Sequence, residues 1–112
     1  MNNEDLNQRL YERARGEQEI FRDWLLSLPK EEILNHAYQY ATRQDILFEL
    51  EEGTRSDKEC RALLKQPEIL SLLYHDWCDL ETDYMDNIRD SIEGSAQYLI
   101  MRERKAAERS ER

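Results

Sequence analysis

The chain has two histidines, and each has a carboxylate four residues away. Glu32 precedes His36, and Asp79 follows His75. On a helix, an i,i+4 pair of this kind can serve as half of a metal site, and otherwise reads as a surface contact between the two side chains. A di-iron bundle completes the site with two Glu-x-x-His motifs and further inward-facing glutamates, and no Glu-x-x-His occurs here. Zinc needs clustered Cys and His, whereas Cys60 and Cys78 stand 18 positions apart. Both thiols read as reduced and part-buried, since one disulfide is no framework. Ser71, Ser91 and Ser95 fall in helical patterns without a base nearby, and no Gly-rich phosphate loop or nucleophile elbow is visible. The expectation is a protein without enzymatic activity, metal or cofactor.

Carboxylates form the one patterned constellation. Asp76, Asp79, Asp83, Asp86, Asp90 and Glu93 step by 3, 4, 3, 4 and 3. On one continuous helix this spacing puts all six on a single face, roughly 150° from the Trp77, Leu80, Tyr84, Ile88 stripe. The ridge would be about 25 Å long. Residues 67–101 carry 8 acids against one base, Arg89. Like charges at i,i+4 cost up to about 0.5 kcal/mol each. The row is either a solvated face or a docking surface that imitates a phosphate backbone and attracts the Arg and Lys side chains of a basic groove.

The elements that must position these groups are helices. Leu6, Leu10, Ala14, Glu17, Phe21, Trp24 and Leu28 recur at helical spacing, and only Glu17 is foreign to a buried stripe. Gly16 marks a place for a bend or fraying. Pro29 opens a second helix that carries Ile33, Ala37, Tyr40, Ala41, Leu47 and Phe48 to about Glu52, with Gly53 as its left-handed end. Ser56-Asp57-Lys58-Glu59 is a capping box for a short third helix with Cys60, Leu63 and Leu64 inward. The stripe from Ile69 to Leu99 predicts one long helix from Glu68 to about Glu93, running on towards Arg104. Trp24 and Trp77 fall on core stripes. Tyr38 either packs on a second face or serves a partner.

The chain of 112 residues has 25 acidic and 16 basic residues and a formal net charge of −9. That balance argues against general binding to nucleic-acid phosphates or anionic lipid. With 3 Gly, 2 Pro, 3 Thr and no Val, the composition argues strongly against a β-sandwich or barrel. The reading is all-α: a compact bundle of roughly four to five helices with a long C-terminal helix. Residues 1–101 form a single helical domain, and residues 102–112 read as a charged, disordered tail. The N-terminus lacks the pattern of a secretory signal and no apolar run spans a bilayer, which points to the cytoplasm and away from membranes.

The segments His36-Ala37-Tyr38-Gln39-Tyr40 and Arg43-Gln44-Asp45-Ile46-Leu47 are followed by Ala62-Leu63-Leu64 before Pro67. Glu81-Thr82-Asp83-Tyr84-Met85-Asp86-Asn87-Ile88-Arg89 comes next. Over residues 6–95 this resembles an uncharacterised family of small, acidic, all-helical domains carried on mobile elements of gut Firmicutes. The resemblance implies no catalytic residues. It implies a context in which small acidic proteins act by binding other proteins. Arg43 and Asp45 cannot share a helix face. Arg43 either reaches an acid on another helix, such as Asp79 or Asp83, or serves a partner.

Together these readings predict a non-enzymatic interaction protein. Its acidic helix would occupy the basic nucleic-acid-binding groove of a target protein, as an inhibitor of a CRISPR or restriction nuclease would. Asp76, Asp79, Asp83, Asp86, Asp90 and Glu93 are its partner-binding residues, and nucleic acid itself is not a partner. The alternative is a structural or regulatory module that forms a homodimer through the Ile69–Leu99 stripe. A helix-turn-helix reading of the basic segment Arg55–Lys65 fits the net charge poorly.

Overall fold

The computed structural model describes residues 1–80 and 83–110. Among the described residues there are six helices and no strand. They are α1 (Asn3–Leu26), α2 (Lys30–Asn35), α3 (Ala37–Glu52), α4 (Asp57–Leu64), α5 (Ile69–Leu80) and α6 (Tyr84–Ser110). The all-helical class and the long last helix agree with the sequence. The single compact bundle does not. The chain divides into two units, Met1–Cys78 and Asp79–Arg112.

The first unit is built on α1. Asn2 caps it, its side-chain oxygen accepting the Asp5 N–H at 2.8 Å. Glu4 and Asp5 add negative charge beside the positive helix end. The core gathers Leu6, Leu10 and Ala14 of α1 with Leu50, Cys60, Ile69 and Leu70. Burying a residue of the Leu or Ile type contributes about 1.5–3 kcal/mol, so this small cluster is the main cohesive term of the unit. Beyond Ala14 the inward face turns to Gln18 and Leu25, which are buried, while Trp24 is 47% exposed. Trp24 and Trp77 are therefore surface aromatics, not core ones. α1 passes through Gly16 without interruption.

Polar contacts fix the connections. Asn7 accepts the Arg55 N–H at 2.8 Å and donates to the Arg55 carbonyl at 3.0 Å, tying the loop after α3 to α1. Gly53 is extended (φ −91°, ψ 172°), which corrects the left-handed cap expected there. Its value is space. A Cβ would lie 2.6 Å from Glu49 Oε1 and 2.9 Å from Arg55 Nη2, where these two side chains pair. The capping box at the start of α4 is present. Ser56 Oγ accepts the Glu59 N–H, and the Glu59 carboxylate accepts the Ser56 N–H. That backbone bond, and the Ser56 hydroxyl after it, hold the Glu59 carboxyl below its ordinary range.

Two helices expected to be continuous are broken. The segment from Pro29 to Glu52 turns at His36, whose N–H bonds the Ile33 carbonyl three residues back and whose ring meets Trp24 edge-on at 5.1 Å. Bonds of this i→i−3 type tighten and end a helix. The segment from Glu68 to Glu93 is divided between α5 and α6. Asp83 directly precedes α6, and its carbonyl accepts the Asn87 N–H at 2.8 Å. Aspartate is favoured before a helix and Asp86 is favoured in its first turn. The same carboxylates in mid-helix would repel one another at i,i+3 and i,i+4. Glu81 and Thr82, part of the sequence motif, lie outside the described residues. α6 continues past Gly94 and takes in residues 102–110, which were expected to form a tail.

A buried polar network binds α1, α3 and α5. Glu17 is the odd residue of the α1 stripe, and its carboxylate accepts the N–H groups of Leu70 (3.0 Å) and Ser71 (3.1 Å) at the start of α5. Arg43 is 2% exposed. Its Nε donates to Gln18 Oε1 at 2.9 Å, its Nη1 donates to Ser71 Oγ at 3.2 Å, and its guanidinium lies 4.2 Å from the Phe21 ring centre. Burial lowers the hold of Arg43 on its proton, and the negative charges of Glu17 and Glu68 oppose that. Arg43 therefore locks the first unit. The acids expected to receive it, Asp79 and Asp83, belong to the second.

Candidate interaction surface

The six carboxylates do not share one helix. Asp76 and Asp79 lie on α5, Asp83 stands before α6, and Asp86, Asp90 and Glu93 lie on α6; all six are exposed. Asp86, Asp90 and Glu93 share one face of α6 by their steps of 4 and 3, and Asp76 and Asp79 share one of α5 by a step of 3. Arg89 bonds Asp86 at 3.1 Å. An exposed pair of this kind contributes about 0–1 kcal/mol, so it neutralises part of the face and holds little together.

α6 is 27 residues long and has no buried residue. At about 1.5 Å per residue it extends about 40 Å. One side carries Tyr84, Ile88, Ile92 and Leu99, with Ile92 at 64% and Leu99 at 54% exposure. Asp86, Asp90 and Glu93 occupy the opposite side, roughly 150° round the axis. Tyr98, Ile100 and Met101 widen the exposed apolar surface. Charge changes sign along the helix. The first half carries Asp86, Asp90 and Glu93, and the second carries Arg102, Arg104, Lys105 and Arg109 with Glu103 and Glu108. The sequence showed these bases, but reading them as a tail kept them apart from the helix that presents them.

The first unit has an aromatic surface that the periodic stripes concealed. Tyr38 OH accepts the Trp77 indole N–H at 3.3 Å, and the Tyr38 and Tyr74 rings lie 6.5 Å apart. Phe21 and Trp24 are 5.8 Å apart, centre to centre. Tyr38 and Trp77 are both nearly half exposed. His36 meets the Trp24 ring, and His75 lies 6.2 Å from the Tyr74 ring. Among the described residues no three His, Cys, Asp or Glu side chains converge as a metal site would require. Cys60 is buried and Cys78 exposed, both as free thiols. Among the described residues no helix is long and apolar enough to cross a membrane.

The family described as "protein of unknown function (DUF3848)" matches residues 6–100. No curated protein and no solved structure matches the chain.

Proposed function

The chain belongs to the DUF3848 family, and we propose from its geometry that it is a non-enzymatic interaction protein whose working surface is α6, paired with a second copy of the chain. One observation carries this reading: the longest helix buries none of its residues while displaying an exposed apolar stripe. Helices in water are held mainly by packing of an amphipathic face, and isolated ones are marginal. Pairing with a second copy covers the stripe and leaves Asp86, Asp90 and Glu93 facing water on the opposite side of the helix.

Sedimentation velocity of the full chain tests this at 0.15 M and 1 M salt. A dimer that persists at high salt supports it, because apolar burial is not screened. Ile88→Asp with Ile92→Asp should give a monomer with the first unit still folded. A wild-type chain that stays monomeric at high micromolar concentration would overturn it.

The second reading is the acidic decoy of a nucleic-acid-binding protein, of the kind that inhibits a CRISPR or restriction nuclease. Asp86, Asp90 and Glu93, exposed on one face of α6, favour it. The division of the row between two helices, the Arg89–Asp86 pair and the basic second half of α6 weaken it. Its mark would be tight binding to a basic groove that falls steeply with salt and fails when Asp86, Asp90 and Glu93 are reversed to lysine.

A further inference from the structure

The first unit carries a cationic cleft that the proposed role of α6 leaves unused. It lies between α1 and α4 and has a volume of about 470 Å³. Arg9 and Arg13 reach it from α1, and Arg61 and Lys65 from α4 and its end. Leu64 supplies a partly exposed apolar wall, backed by the buried Leu6. The spacing is the same on both sides: Arg9 and Arg13 are four residues apart, as are Arg61 and Lys65, so each helix presents its two cations on one face. No carboxylate lines the cleft. Among the described residues none of the four cations has a carboxylate within 4 Å. In a chain of net charge −9, four converging cations without a counter-charge stand out against the overall field.

Arg13 shows how the cleft is prepared. Its guanidinium donates to the carbonyls of Leu64 and Gln66 at the end of α4. The Leu64 carbonyl belongs to the negative end of α4 and the Gln66 carbonyl lies just beyond it, and both would repel an anion if left bare. Arg13 covers them and keeps its own charge at the rim, while Arg9, Arg61 and Lys65 remain to turn towards a ligand. The volume lies within the range of small-molecule sites. Guanidinium groups match phosphate oxygens in pairs, and ammonium groups act as point charges beside them.

We infer that this cleft is a binding site for a small molecule bearing a chain of phosphates, held by Arg9, Arg61 and Lys65 with Arg13 as the fixed wall. Free polyphosphate and a nucleoside triphosphate share this chemistry. The partly exposed Leu64 offers an apolar surface only the nucleoside can use.

Isothermal titration of the full chain with inorganic tripolyphosphate, ATP and adenosine tests the inference. One saturable site is expected for tripolyphosphate, with affinity falling as salt rises. Arg9→Gln with Arg61→Gln should weaken it about tenfold or more, and Arg9→Lys with Arg61→Lys, which keeps the charge and loses the paired bonds, should weaken it less. Arg104→Gln on α6 should leave it unchanged. Tighter binding of ATP than of tripolyphosphate assigns the site to a nucleotide; equal binding assigns it to the phosphate chain alone. Absence of saturable binding to either at millimolar concentration overturns the inference. So does equal weakening by Arg104→Gln, which would mean that net charge alone was being measured.

Discussion

Glu17 Oε1 accepts the backbone N–H of Ser71 at 3.1 Å, so a carboxylate from the middle of α1 caps the start of α5, 54 residues away in sequence. A second oxygen of the same group takes the Leu70 N–H. Helix starts leave such N–H groups without partners, and an anion is the strongest acceptor for them. Removing the cap by Glu17→Ala should cost about 2 kcal/mol. Arg43→Met should cost about 2–3 kcal/mol, because it leaves Gln18 Oε1 and the Glu17 charge without their cation. Both residues meet at Ser71, so the double variant should be less destabilised than the sum of the singles. Urea denaturation of the four proteins measures the coupling, and strict additivity would show that the two contacts act independently.

The two thiols should behave as opposites. Cys78 is exposed, and Cys60 is enclosed in the core. Burial raises the Cys60 thiol above its ordinary range, and the charges of Asp57 and Glu59 push it the same way. The thiolate is the reactive form, so at mildly alkaline pH Cys60 is protected both by access and by protonation. One equivalent of a thiol reagent should react within seconds at Cys78, and the second should react only as fast as the first unit opens. Two fast equivalents would place Cys60 outside the core.

Glycine substitutions should divide by surroundings. A Cβ at Gly16 or Gly94 meets nothing within 4 Å, and both glycines sit inside helices. Gly16→Ala and Gly94→Ala should each stabilise their helix by about 0.5–1 kcal/mol, since glycine loses the most backbone freedom on folding. Gly53→Ala should destabilise by about 1 kcal/mol, because its Cβ would enter the space where Arg55 bonds Glu49. Thermal melts of the three variants check the signs. A loss at Gly16 would mean that α1 needs a bend there.

Much of the local structure was readable in the sequence. The Ser56–Glu59 capping box is a short-range pattern and forms as written. Leu6, Leu10 and Ala14 marked the inward face of α1. Glu17 stood out on that face, but its role was hidden, because the amides it caps are remote in sequence. Arg43 was legible as a packing residue and not in its partners, since spacing along a chain does not say which helix lies opposite. The long acidic row failed for a different reason. No proline or glycine separates Glu68 from Glu93, so helical periodicity alone reads straight through. The break falls where like charges are densest and Asp83 can precede a new helix. Apolar spacing also overstated burial, as Trp24, Trp77 and all of α6 demonstrate. A stripe states what a face can cover, and only the fold states whether anything covers it.

Hydrogen exchange of the α6 amides at rising protein concentration tests the pairing of this helix most directly. A lone exposed helix frays and exchanges quickly, whereas pairing protects it by mass action. Protection over residues 84–101 should grow with concentration while that of Leu10, Leu50 and Ile69 in the first unit stays constant. Rapid α6 exchange that is the same at every concentration would contradict the proposed pairing.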